Sequence, residues 1–206
     1  MIINNTTQNI IRVLLNEKKI KIRELAKFAN VSLGMTVRIV NALESSGLVK
    51  KSRGISVLNF KKLLKAWAYT RSIEENKKIQ FLAAERPQYL IKKISNLLKD
   101  NSYAFTLFSA TEIVFPYVAP NKVHMYILES QEDIIKKIFL KEGIMPAEEG
   151  NVVCYIVDES YFYASQEVRG VKIINLPQLY IDLIDYSGRG EEAAEKILKM
   201  MEEKNV

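Results

Sequence analysis

The chain has 206 residues, 48% of them hydrophobic, enough for one large or two small domains with their own cores. Cys154 and His124 are the sole residues of their kinds, which excludes an intrachain disulfide, a Cys/His zinc site and any Ser-His-Asp or Cys-His catalysis not centred on His124. The net charge of +6 is unevenly spread: residues 1–62 hold 12 Lys/Arg against 3 Asp/Glu, residues 63–100 hold 8 against 4, and residues 101–206 hold 10 against 17.

In chain order, Asn4-Asn5-Thr6 can cap a first helix through about Asn16, its apolar side built from Ile10, Ile11, Val13, Leu14 and Leu15. A short helix at Ile22 to Ala29 follows, then the turn Asn-Val-Ser and a second helix from Leu33 to Ser46. Ser32 is a good N-cap for it, and Thr36, Ile39, Val40 and Leu43 fall at i, i+3, i+4, i+7 as one buried stripe. The other face carries Leu33, Gly34, Val37, Arg38 and Asn41, of which Arg38 and Asn41 can bond base edges or phosphates in a major groove. Gly47 stops the helix, and Leu48-Val49 and Ile55-Val57 read as strands around a basic tip at Lys50, Lys51, Ser52, Arg53 and Gly54. This layout is a winged helix-turn-helix over residues 1–60. Its implied partner is double-stranded DNA, with Ser32, Leu33, Gly34, Val37, Arg38, Asn41, Lys50, Lys51 and Arg53 as the contacting residues.

Phe60 to Tyr69 reads as a helix with Leu63, Leu64 and Trp67 as its stripe, in a helical connector over 61–77. From 78 to 206 helices and strands alternate, which makes the chain α+β overall, with a C-terminal mixed α/β domain. Strands are expected at Lys78 to Ala83, Tyr103 to Phe108, Val123 to Leu128 and Val152 to Val157, with weaker ones at Tyr161 to Ala164 and Val171 to Ile174. Helices are expected from Pro87 to about Asp100, Ala110 to Phe115, Gln131 to Lys141, Pro177 to Tyr186 and Glu191 to about Lys204, with Ser130 and Asp133 at capping-box positions. No run of 18 apolar residues exists and the start MIINNTTQNI lacks the features of a signal peptide, so a cytoplasmic protein without a membrane partner is expected.

The run INLPQLYIDLIDYSGRGEEAAEKIL at Ile174 to Leu198 resembles the end of the AbiEi family of antitoxins, transcriptional regulators of type IV toxin–antitoxin systems. VSLGMTVRIVNALESSGLV, YAFTLFSATEI at Tyr103 to Ile113 and FPYVAPNKVHMYIL at Phe115 to Leu128 are similar to it as well. The resemblance implies an autorepressor whose second domain counters a nucleotidyltransferase-type toxin. The acidic C-terminal part suits a basic protein partner, with Asp182, Arg189, Glu191 and Glu192 as exposed contact residues beside the buried Leu179, Leu183, Ala194, Ile197 and Leu198.

The stretch from Tyr103 to Ile127 also resembles a degenerate nucleotidyltransferase core. There a strand and a Gly-Ser turn precede a strand with two metal-binding carboxylates. Here the turn is Phe108-Ser109-Ala110 and the carboxylate strand reads Val123-His124-Met125-Tyr126, so both acids are missing. No catalytic residue, metal or cofactor is therefore expected. The alternative is a one-component regulator whose C-terminal domain senses a small ligand through Tyr161, Phe162, Tyr163 and Tyr180.

Overall fold

The computed structural model describes residues 4–70 and 72–204. The chain divides into two compact units, Met1–Ser72 and Ile73–Val206.

The first unit is built from α1 (Asn5–Asn16), α2 (Ile22–Phe28), α3 (Leu33–Ser45), the two-stranded wing β1 (Val49–Lys51) and β2 (Ile55–Val57), and α4 (Phe60–Ala68). Each cap expected here forms. The Asn4 side chain accepts from Thr7 N at 3.0 Å, Ser32 Oγ accepts from Met35 N at 3.4 Å, and Gly47 takes φ +68° beyond α3, where a side chain would be strained. Ile10, Leu14, Leu25, Val40, Leu43 and Trp67 form the core. Residues 61–68, expected as a connector, belong to it: Leu63, Leu64 and Trp67 are fully buried. The guanidinium of buried Arg12 lies 5.4 Å from the Trp67 ring centroid and donates to Asn9 at 2.9 Å.

The second unit holds a seven-stranded mixed sheet in the order β6-β3-β7-β5-β4-β9-β8. Its strands are β3 (Lys78–Leu82), β4 (Tyr103–Phe105), β5 (Val123–Leu128), β6 (Met145–Ala147), β7 (Val152–Val157), β8 (Gln166–Val168) and β9 (Val171–Ile173). Central β5 and β7 are parallel and buried almost throughout, so they read as continuous apolar runs. The helices are α5 (Pro87–Leu97), α6 (Leu107–Val114), α7 (Glu132–Lys141), α8 (Leu176–Ile184) and α9 (Gly190–Lys204). Phe139 of α7 meets Phe81 of β3 edge to face, with ring centroids 5.1 Å apart.

Several expectations are corrected. The strand from Tyr103 ends at Phe105, and the next helix starts at Leu107 rather than Ala110, through a buried leucine at φ +50°. Tyr161 to Ala164 is no strand, because Asp158 accepts from Ser160 N and winds Glu159–Phe162 into a 3₁₀ turn. No side chain caps α7, whose N-cap is Gln131 and not Ser130; Gln131 Oε1 instead accepts from Ser102 N at 2.7 Å. The edge strand β6 went unread because Met-Pro-Ala carries no alternation and its proline fits a sheet only at an edge. β8 is short and polar and joins β9 through Arg169-Gly170, both at positive φ as a tight hairpin requires.

Candidate nucleic-acid interface

Helix periodicity buries Thr36, Ile39, Val40 and Leu43 of α3 in the first unit and leaves Leu33, Gly34, Met35, Val37, Arg38 and Asn41 outside. Leu33, Met35 and Val37 keep 45%, 39% and 41% of their surface exposed, an apolar strip that thymine methyl groups could cover. Arg38 stands among them with no ion-pair partner among the described residues.

The wing folds back beside this helix. Ile20, ahead of α2, pairs with Ile55 of β2 by two backbone hydrogen bonds of 3.0 and 2.7 Å, so the wing is effectively three-stranded. That pairing brings Lys21 into a groove of about 480 Å³ lined also by Val37, Asn41, Lys51, Arg53 and Ile55. Lys21 was not singled out from sequence, although the basic run Lys18-Lys19-Lys21 beside a strand-like Ile20 was there to be read. Arg53 occupies the wing tip at φ +51°, ahead of Gly54, and is exposed.

The groove brings together four of the nine expected contacts, Val37, Asn41, Lys51 and Arg53, and two of these, Asn41 and Lys51, are not free. Lys51 Nζ donates to Asn41 Oδ1 at 2.8 Å and pairs with Glu44 at 2.7 Å, and Lys51 N donates to Glu44 Oε1 at 3.2 Å. The hydrogen bond from Lys51 holds the Glu44 carboxyl below its ordinary range. Glu44 therefore fixes the wing to α3 and offsets the charge of one wing lysine. Ser32 is occupied as the cap of α3, so any phosphate there would meet the helix N-terminus.

In the second unit the expected contact residues separate. Arg189 donates to Glu192 at 2.9 and 3.0 Å and to the Tyr117 hydroxyl, with its guanidinium 4.5 Å from the Tyr117 ring centroid. Glu191 and Glu192 are exposed on the first turn of α9. Asp182 is the correction, since only 2% of its surface is exposed. It accepts from Thr106, from Tyr126 at 2.8 Å and from Gln178 at 2.8 Å, which makes it a buried hub and not a docking residue. Amphipathic reasoning assigned it to a wet face that α8 does not have, because every residue from Leu176 to Leu183 is buried.

Tyr161 and Tyr180, the pocket candidates of the alternative reading, are packed in the core. Cys154 is fully buried, which pushes its thiol pKa up and keeps it inert. Among the described residues no group of His, Cys, Asp and Glu could hold a metal ion, and no helix is long and apolar enough to cross a membrane.

A winged helix with a basic groove, followed by a separate mixed α/β unit, defines a DNA-binding transcriptional regulator with a second functional part. Residues 56–203 match the family described as transcriptional regulator, AbiEi antitoxin, of type IV toxin–antitoxin systems, and the chain belongs to that family. Residues 3–54 match the MarR family, to whose winged helix this part of the chain is similar. Searches of curated proteins and of solved structures find no match.

Proposed function

We propose that the chain represses its own operon through α3 and the wing, and that the unit from Ile73 onward counters a nucleotidyltransferase-type toxin in the cytoplasm without itself being an enzyme. The observation that carries the DNA part is the exposed α3 face, with Arg38 amid Leu33 and Val37, set beside a groove holding Lys21, Lys51 and Arg53. Arg38 reads bases, while Lys50 and Arg53 hold phosphates; Asn41 and Lys51 join them only where DNA displaces the bonds that Lys51 makes to Asn41 and Glu44. The absence of paired carboxylates at His124 and Tyr126 supports the non-enzymatic reading. The exposed cluster of Arg189, Glu191 and Glu192 is the candidate surface for the second activity.

Binding of the full chain to its own upstream DNA tests the first part. With about six phosphates neutralised, log K falls with log salt at a slope near −5. Arg38→Ala costs about 1–3 kcal/mol and relaxes base preference, whereas Arg53→Ala weakens all sequences alike. Binding without salt dependence refutes the interface. Coexpression with an adjacent nucleotidyltransferase gene tests the second part. Growth rescued by the chain and lost with an Arg189→Ala/Glu192→Ala pair supports it; rescue untouched by that pair moves the activity elsewhere, and a co-purification assay shows whether the two proteins touch.

A further inference from the structure

Strand register lines up a row of polar groups on one face of the second unit's sheet. Gln80, Val153 and His124 are neighbours across β3, β7 and β5, and Lys78, Tyr155 and Tyr126 form the next row. The two-residue period puts both rows on the same face. Tyr126 is covered by Asp182 and Tyr161, but toward β3 the face opens into a cavity of about 270 Å³. Lys122, His124, Tyr155 and Tyr186 are among its walls.

The cavity floor has a defined hydrogen-bond direction. His124 is 4% exposed, with Nδ1 3.3 Å from the Tyr155 hydroxyl and Nε2 3.1 Å from the Tyr186 hydroxyl. Burial, with a further push from Lys122, lowers its pKa to about 4, so the ring is neutral and has one donor and one acceptor. Tyr155 donates to Glu74 Oε1 at 3.3 Å, so its oxygen accepts from His124 Nδ1 and His124 Nε2 accepts from Tyr186. Lys78 closes the chain on Glu74. Tyr186 has then spent its proton and keeps only acceptor capacity.

Three groups in the walls remain unspent. Among the described residues the Lys122 ammonium and the Asn121 amide, both donors, and the exposed Glu149 carboxylate, an acceptor suited to a ligand's hydroxyl or amine, have no side-chain partner. The volume equals about nine waters, so it takes a small molecule and not a dinucleotide. We propose that this cavity is a binding site for a small organic anion, phosphate or carboxylate, that also bears a hydroxyl or amine: Lys122 and Asn121 take the anion, and Tyr186 accepts from the hydroxyl or amine. The Tyr126 end of the same face is closed by Asp182 and Tyr161, whereas the His124 end opens into the cavity with these polar groups in its walls.

The chain has a single histidine, so its imidazole Cε1–H resonance reports on the cavity alone. Full-length protein is titrated with inorganic phosphate, ribose 5-phosphate, adenosine monophosphate and tartrate at up to millimolar concentration. The expected result is a saturable shift with at least one hydroxylated anion, stronger than with inorganic phosphate. Lys122→Gln weakens that binding about tenfold, the loss of one charged contact. Tyr186→Phe removes the preference over inorganic phosphate, and whether the phosphates or tartrate bind identifies the anion. The proposal is overturned if no probe gives a saturable shift, if Lys122→Gln with native circular dichroism binds equally well, or if Tyr186→Phe leaves the preference intact.

Discussion

Acidifying the protein from pH 7 to pH 5 is expected to destabilise the second unit through one residue, His124. Its pKa is near 6.5 in the unfolded chain and is lowered to about 4 in the fold, first by burial and then by Lys122 and Lys78, with Glu74 opposing. Between those values the unfolded state binds the extra proton, so stability rises with pH and is lost as pH falls through 6.5, levelling out below 4. At pH 5 the unfolded imidazole is almost fully charged and the folded one still neutral, so the loss relative to pH 7 is about 2 kcal/mol, growing to about 3 kcal/mol below pH 4. The lowered carboxyls of Glu74, Glu85 and Glu132 begin to cost stability only near and below their ordinary value of 4.5. A His124→Gln variant subtracts them. Urea denaturation of the full chain at both pH values, followed by tyrosine signals and hydrogen exchange of β5 and β7, measures the difference. Trp67, the sole tryptophan, reports the first unit, which has no histidine and serves as the reference. The reasoning fails if the wild-type second unit loses no more on acidification than the variant.

Other substitutions probe the rest of the structure. Glu44→Gln should free Lys51 for phosphate, tightening DNA binding and steepening the log K against log salt slope by about 0.9; an unchanged slope means Lys51 stays on Asn41. Asp182→Ala should destabilise the second unit by about 3–5 kcal/mol in denaturant titration, because Thr106, Tyr126 and Gln178 lose a buried partner, whereas Glu191→Ala should leave stability unchanged. Gly190→Ala puts a Cβ 2.3 Å from Leu183 O and should cost about 1–3 kcal/mol, read as a lower thermal midpoint of the second unit.

Where structure follows from neighbours in sequence, it was legible. The Asn4 and Ser32 caps, the Gly47 stop, the buried stripe of α3 and the apolar runs of β5 and β7 each depend on a local backbone period or a side chain reaching within its own turn. The same locality displayed the exposed α3 face with Arg38. It also misled, by giving α8 a wet face and Asp182 a place on it.

What only the tertiary structure decided is every group whose state depends on a distant partner. Lys51 is paired because the wing folds onto Glu44 and Asn41, Lys21 reaches the groove because Ile20 pairs with Ile55, and Met145–Ala147 is a strand only because β3 offers it an edge. The single histidine carried no expected catalytic role. Its hydrogen bonds to Tyr155 and Tyr186, 31 and 62 residues away, place it on the floor of a cavity. Periodicity encodes which side of an element is apolar, but strand order and the packing of helices over a sheet determine whether a polar side chain meets water, a charge or another buried polar group.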